Sequence, residues 1–174
     1  MSTLCASAEY TPKAQRAISA IASSFPHLDT ILEMAEGDLN EDGISDLALV
    51  VTGQKQENSY RDERLVVLTG NPDGSYAVLS VSNEFCHVRW HYNIGIDRRS
   101  LFVTGFNQVN AGTSKFTLQF RYNAKLKDLE LIGSEELDAD DETRSYYKVS
   151  VNYSTKTVIH SRKEKNKLKD VIAQ

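Results

Sequence analysis

From Thr30 to Ser161 the chain is written as short runs of β-branched and aromatic residues, each closed by a turn signal, and this punctuation leaves little room for anything but consecutive antiparallel strands. Arg64 to Thr69 turns at Asn71-Pro72-Asp73-Gly74 into Tyr76 to Val81, and Tyr92 to Ile96 turns at Asp97 to Arg99 into Leu101 to Phe106. Lys115 to Tyr122 turns near Asn123 into Leu129 to Ile132, and Tyr146 to Tyr153 turns at Ser154-Thr155-Lys156 into Thr157 to Ser161. Alternation in Phe116-Leu118-Phe120-Tyr122 and Tyr147-Val149-Val151-Tyr153 predicts one apolar and one polar face. Ahead of these strands, Thr11-Pro12 followed by Ala14, Ile18, Ile21 and Phe25 gives a cap, a first-turn proline and apolar residues at helical spacing, ended by Pro26. The expected fold is mainly β: an antiparallel meander, as a sandwich or a single propeller-like sheet set, with one N-terminal α-helix. No repeat of the whole unit is found, which weighs against a multi-blade propeller.

At 174 residues and 40% hydrophobic content, the chain holds one domain with one core. We place that domain at residues 9–162, with a basic tail at 163–174. The stretches from Gly53 to Asp62 and from Arg162 to Lys169 read as solvated segments outside the strand pattern. A net charge of −4 gives no reason to expect nucleic acid as a partner. No run of about 18 apolar residues is present to span a bilayer as a helix. Leu4-Cys5-Ala6-Ser7-Ala8 reads as the end of a signal peptide with an A-x-A cleavage site, so residues 1–8 are expected to be its remnant and the protein to be periplasmic. The other reading is an ordinary polar arm on a cytoplasmic protein that starts at Met1. Cys5 and Cys86, the only cysteines, exclude a disulfide-rich scaffold and a four-thiolate zinc site, and Cys86 reads as a small buried hydrophobe.

Chemistry concentrates between Gly37 and Asp46. Asp38, Asn40, Asp42 and Asp46 occupy positions 1, 3, 5 and 9 of a D-x-N-x-D-G-x-x-D loop; Gly43 permits the sharp turn and the carbonyl of Ile44 falls at position 7. Ca²⁺ takes six to eight oxygens at about 2.3–2.6 Å, and this loop offers four side chains, one carbonyl and a water. Three carboxylates crowded into one turn repel each other unless a cation offsets them. Where an EF-hand would have Glu at position 12, this chain has Leu49, within Leu47-Ala48-Leu49-Val50-Val51, so the loop leads into a buried strand rather than a helix. The ion-free alternative is an Asx-rich turn joining Ile31–Met34 to Leu47–Val51 through side-chain to backbone bonds.

The segment GDLNEDGISDLALVVTG resembles the FG-GAP or VCBS-type calcium loop of integrin-like β domains. ERLVVLTGNPDGSYAVLSVS, IGIDRRSLFVTGFNQ, FTLQFRYN, LELIGSEE and VSVNYSTKTVI resemble the successive strands of small exported bacterial proteins that carry one such loop. The likeness runs from about Asp29 to His160, and only the calcium loop is a specific motif. Some proteins of that kind are similar to periplasmic lysozyme inhibitors and act as immunity proteins against peptidoglycan hydrolases. The resemblance therefore implies Ca²⁺ and a protein partner of the class of a secreted effector or a cell-wall hydrolase. The Ser-Gly and Tyr loop signature of the inhibitors is not cleanly present, so no target is named.

No nucleophile elbow, zinc-protease helix, Walker loop, dinucleotide fingerprint or C-x-x-C pair occurs, and the chain is read as non-enzymatic. His87 and His91 flank Trp90 and read as strand packing rather than metal ligands. Asp38, Asp42 and Asp46 suit shared ligation better than glycoside cleavage by two separated carboxylates. Six of the eight residues from Glu135 to Glu142 are acidic and precede Tyr146-Tyr147. We read an acidic loop beside an aromatic pair, with Glu135, Glu136, Asp138, Asp140, Asp141, Tyr146 and Tyr147 as the candidate partner surface. A solvated loop with tyrosines divided between core and surface is the competing reading. At the level of function, inhibitor or immunity protein competes with a calcium-dependent structural or adhesion module of the envelope.

Overall fold

The computed structural model describes residues 11–53, 62–83, 91–109, 112–140, 142–164 and 167–173. Helix α1 spans Pro12–Ala22. Thr11 caps it, its hydroxyl accepting from the Ala14 N–H at 3.3 Å, and Pro12 sits where a missing N–H costs nothing. Ala14, Ala17 and Ile21 form the buried stripe. The helix stops a turn earlier than Pro26 requires, because Ser24 and Phe25 fold back to donate to the Ile21 carbonyl.

Strands β1 (Leu28–Gly37), β2 (Asp46–Gly53), β3 (Asp62–Gly70) and β4 (Tyr76–Val81) form one sheet in that order. Strands β5 (His91–Asp97), β6 (Ser100–Val109), β7 (Gly112–Asn123), β8 (Asp128–Asp140), β9 (Ser145–Asn152), β10 (Thr157–Glu164) and β11 (Lys167–Ala173) form the other, again in chain order. All the pairings are antiparallel. The meander is therefore observed, broken once, between β4 and β5, where the chain changes sheets. The result is a two-sheet packing and not a closed barrel.

The first sheet is the middle layer, and β2 is buried along its whole length. On one side Leu47, Leu49 and Val51 join Val66 and Leu68 to pack against Ala17 and Ile21 of the helix. On the other, Ala48, Val50 and Val67 pack with Ile94, Leu101 and Val103 of the second sheet. A strand covered on both faces needs apolar residues at successive positions, which is why Leu47 to Val51 lack alternation. Layers end where the four-stranded sheet ends. Among the described side chains of β7 to β10 none is fully buried.

The hairpin turns fall where the turn residues place them. In Asn71-Pro72-Asp73-Gly74 the Gly74 N–H donates to the Asn71 carbonyl at 2.9 Å, with Gly74 at φ 79°. Asn123 accepts from Lys125 and Leu126 through its side chain and from Lys127 through its carbonyl, closing β7 on β8.

Two expectations are corrected. The acidic segment is not a loop: through Asp140 it is the end of β8, paired with β7 on one side and β9 on the other. Pairing on both edges overrides the poor strand propensity of Asp and Glu, and alternation keeps neighbouring carboxylates apart. The stretch from Arg162 to Lys169, read as a solvated end, lies largely in β10 and in β11, which pairs with β10 from Glu164↔Lys167 to Val158↔Ala173. Cys5, Ala6, Ser7, Ala8, residues 54–61, Cys86, His87, Trp90 and Asp141 lie outside the described residues.

Candidate functional site

The loop between β1 and β2 is built on Gly37↔Asp46, the last pair of their ladder. Asp38 accepts from the Glu41 N–H at 2.7 Å and from the Gly43 N–H at 3.0 Å. Asn40 accepts from the Asp42 N–H at 3.1 Å, and Asp42 accepts from the Ile44 N–H at 2.8 Å and the Asn40 side-chain amide at 2.9 Å. These Asx turns wind the loop tightly enough to put Glu41 at φ 68° and Gly43 at φ 79°. Glycine carries the second of these at no steric cost; Glu41 is held by its backbone bond to Asp38.

Asp46 differs from the other three. It is fully buried, and its two oxygens accept from the N–H groups of Leu39 and Gly70 at 2.8 and 3.0 Å. Burial pushes its carboxyl pKa up, the two backbone bonds oppose that rise, and the negative charge of Asp42 adds to it. Gly70 must be glycine, because a Cβ there would lie 2.4 Å from the Ser45 carbonyl oxygen. Leu39, the fully buried apolar side chain of the loop, lies between the two sheets with Ala48, Val50, Ile94 and Leu101.

Further ties fix the loop to every layer. Glu36 accepts from Lys13 of the helix and from the Ser45 hydroxyl at 2.7 Å, and these bonds, Lys13 first, hold its carboxyl below the usual glutamate range. Glu41 pairs with Arg99 of the β5–β6 turn at 2.7 Å. The loop is thus a clasp that joins helix, first sheet and second sheet. Sequence reasoning treated Asp46 as a ligand and missed its structural bonds; the signal available was Leu39, an apolar residue set among the acids and amides at the start of the loop.

The residues fit a hard cation in kind. Asp38, Asn40 and Asp42 bring side-chain oxygens and Ile44 a carbonyl, while Asp46 sits at the position that acts through a water in such loops. Their side chains here are turned to their own backbone, and among the described residues no three His, Cys, Asp or Glu side chains are grouped to hold an ion.

The second set of sequence-derived residues is divided by strand alternation. Residues directly opposite in antiparallel pairs share a face, and Glu136↔Val149 and Asp138↔Tyr147 place Glu136, Asp138, Asp140 and Tyr147 on one face. Glu135 and Tyr146 lie on the other. Glu135 is paired with Lys148 at 2.7 Å, and Asp138 accepts from Ser114 at 2.7 Å. Backbone and hydroxyl bonds from Thr143 lead the causes that hold Asp140 below the usual aspartate range. Tyr147 is 44% exposed, with its hydroxyl 2.8 Å from His160 Nδ1. Asp138, Asp140, Tyr146, Tyr147, Arg162 and Lys163 line an open recess of about 260 Å³ at this corner. His91, the described member of the histidine pair, stacks on Phe106 with ring centroids 5.1 Å apart.

Fold and loop together define a helix-backed two-sheet β domain with an acidic clasp. Comparison with known proteins finds no matching family model, no similar curated protein and no similar solved structure.

Proposed function

We propose that this is a non-enzymatic, exported binding domain, stabilised by Ca²⁺ in the Gly37–Asp46 loop, that recognises a protein partner through the corner where β8 meets β9. The observation that carries the protein-binding reading is that corner. An exposed tyrosine beside a recess lined by two carboxylates and two cations, Arg162 and Lys163, offers a ring to bury and charges to orient a partner. The partner class favoured is a secreted effector or cell-wall hydrolase, for which the acids of β8 would raise the association rate. Support for the ion comes from the donor set of Asp38, Asn40, Asp42 and Ile44, and its contribution would be to offset carboxylate repulsion where three layers are clasped.

The test is a pull-down from envelope extract with and without chelator, run beside Tyr147→Ala and Asp138→Asn/Asp140→Asn variants. The reading predicts a partner lost or weakened in Tyr147→Ala, and retained but slower to associate at low salt in the acidic variant. Partner binding with wild-type kinetics by all of these would move the interface elsewhere.

A further inference from the structure

The outer face of the second sheet carries a feature that the protein-binding reading does not use. Register aligns Phe102, Gln119, Gly133 and Asn152 in one row across β6, β7, β8 and β9, on the face turned away from the first sheet. Gly133 in the middle of that row leaves a trough, part of an open groove of about 480 Å³ that also takes in Arg121 and Glu135.

Gly133 is the informative residue. Glycine inside a strand weakens it, and its presence marks a bend or a place where another group must approach closely. Here a Cβ would meet Gln119 Oε1 and the Val151 carbonyl oxygen at 3.5 Å, ordinary contact distances. Neighbouring atoms therefore do not require glycine, and the missing side chain is what keeps the trough open. A register shift between Gln119 and Phe120 bends the sheet at the same place.

The walls have complementary polarity. Gln119 donates through Nε2 to the Ser100 hydroxyl at 3.2 Å, which turns its amide oxygen toward Gly133 as an acceptor. Asn152 accepts from the Thr155 N–H through Oδ1 at 3.0 Å, which leaves its amide nitrogen to donate. Phe102 closes the row with an aromatic ring. The Glu135 carboxylate is neutralised by Lys148, and the other charged residue of the lining, Arg121, is exposed at the rim, so the groove has no excess negative charge to demand a cation. Fixed amides of both polarities facing a trough with an aromatic end suit a ligand that has hydroxyls around its rim and an apolar C–H face.

We propose that this groove binds a neutral saccharide, with one pyranose ring over Gly133 between the Gln119 and Asn152 amides and Phe102 at the end of the groove beyond Gln119. A groove of this size falls in the range of small-molecule sites.

The ¹⁵N-labelled full chain would be titrated by NMR with cellobiose, maltose, lactose and diacetylchitobiose. At least one sugar should shift, saturably, the Gly133 backbone amide and the Gln119 and Asn152 side-chain amides. Gly133→Val, which fills the trough, and Asn152→Ala, at an exposed position, should each weaken binding about tenfold or more. Melting curves report folding separately, and if Gly133→Val does not fold, Asn152→Ala decides alone. The proposal is overturned if none of the four sugars moves those amides at about 20 mM, a concentration that reveals even weak binding. Wild-type affinity in the folded variants overturns it equally.

Discussion

Strands β2 and β9 have similar apolar content and opposite fates. Every residue of β2 is buried, whereas β9 has no fully buried residue and leaves Tyr147 at the surface. Val149 and Val151 lie on the same face as Val103 and Leu118, yet the first sheet covers Val103 and stops short of β9. What a side chain contributes is decided by the layer above it, which intrastrand alternation cannot reveal. The molecule has a thick, tied end at α1, β1, β2 and the clasp, and a thin end formed by β8 to β10.

The most severe way to break this comparison is to truncate both ends equally. Leu49→Ala, in the two-sided core, is expected to cost about 2–5 kcal/mol in urea unfolding. Val149→Ala should cost about 1 kcal/mol, because little cover is lost. Equal costs would mean that the second sheet is covered by something else along β9.

Next in size is the ion. Calcium at about 100-fold excess over its Kd should add about 2.7 kcal/mol to stability. Asp38→Ala and Asp42→Ala should abolish that response, and an unchanged melting curve on chelation would leave the Asx-turn reading in its place.

Asp46→Asn sharpens the account of the clasp. Asparagine keeps one acceptor oxygen, so either the Leu39 or the Gly70 N–H loses its partner, at about 1–3 kcal/mol. The loss should persist in calcium, unlike a loss confined to ligation.

The smallest effect concerns Glu36. Its folded pKa is depressed chiefly by Lys13, so its contribution is present above the ordinary glutamate pKa and disappears as pH falls through the lowered folded value. Lys13→Met should flatten this part of the stability profile between neutral and acid pH. Because both side chains are substantially exposed, the change will be modest and will shrink in salt.

Much of this architecture could be read from residues that act locally. Asn71-Pro72-Asp73-Gly74 and Asn123 specify their own turns, Thr11-Pro12 starts the helix, and Leu47 to Val51 announces a strand covered on both faces. The spacing of Asp38, Asn40 and Asp42 located the loop and its internal bonds. What stayed hidden depends on distant partners. Nothing near Asp46 in the chain indicates that the amide of Gly70 waits for its carboxylate. Glu135 to Asp140 look like a loop until β7 and β9 are laid on either side. The exchange of sheets after β4 likewise follows from how the layers stack, not from a local signal.

The meander, broken only between β4 and β5, also sets the order of assembly. Each hairpin closes a short stretch of chain, so its loop-closure entropy is small and the pairings can zip independently. The sheets meet only when Leu39, Ala48 and Val50 find Ile94, Leu101 and Val103, and that contact spans most of the intervening sequence. Docking of two preformed sheets is therefore the expected barrier. Leu101→Ala should therefore slow refolding, because the contact it removes forms at that barrier.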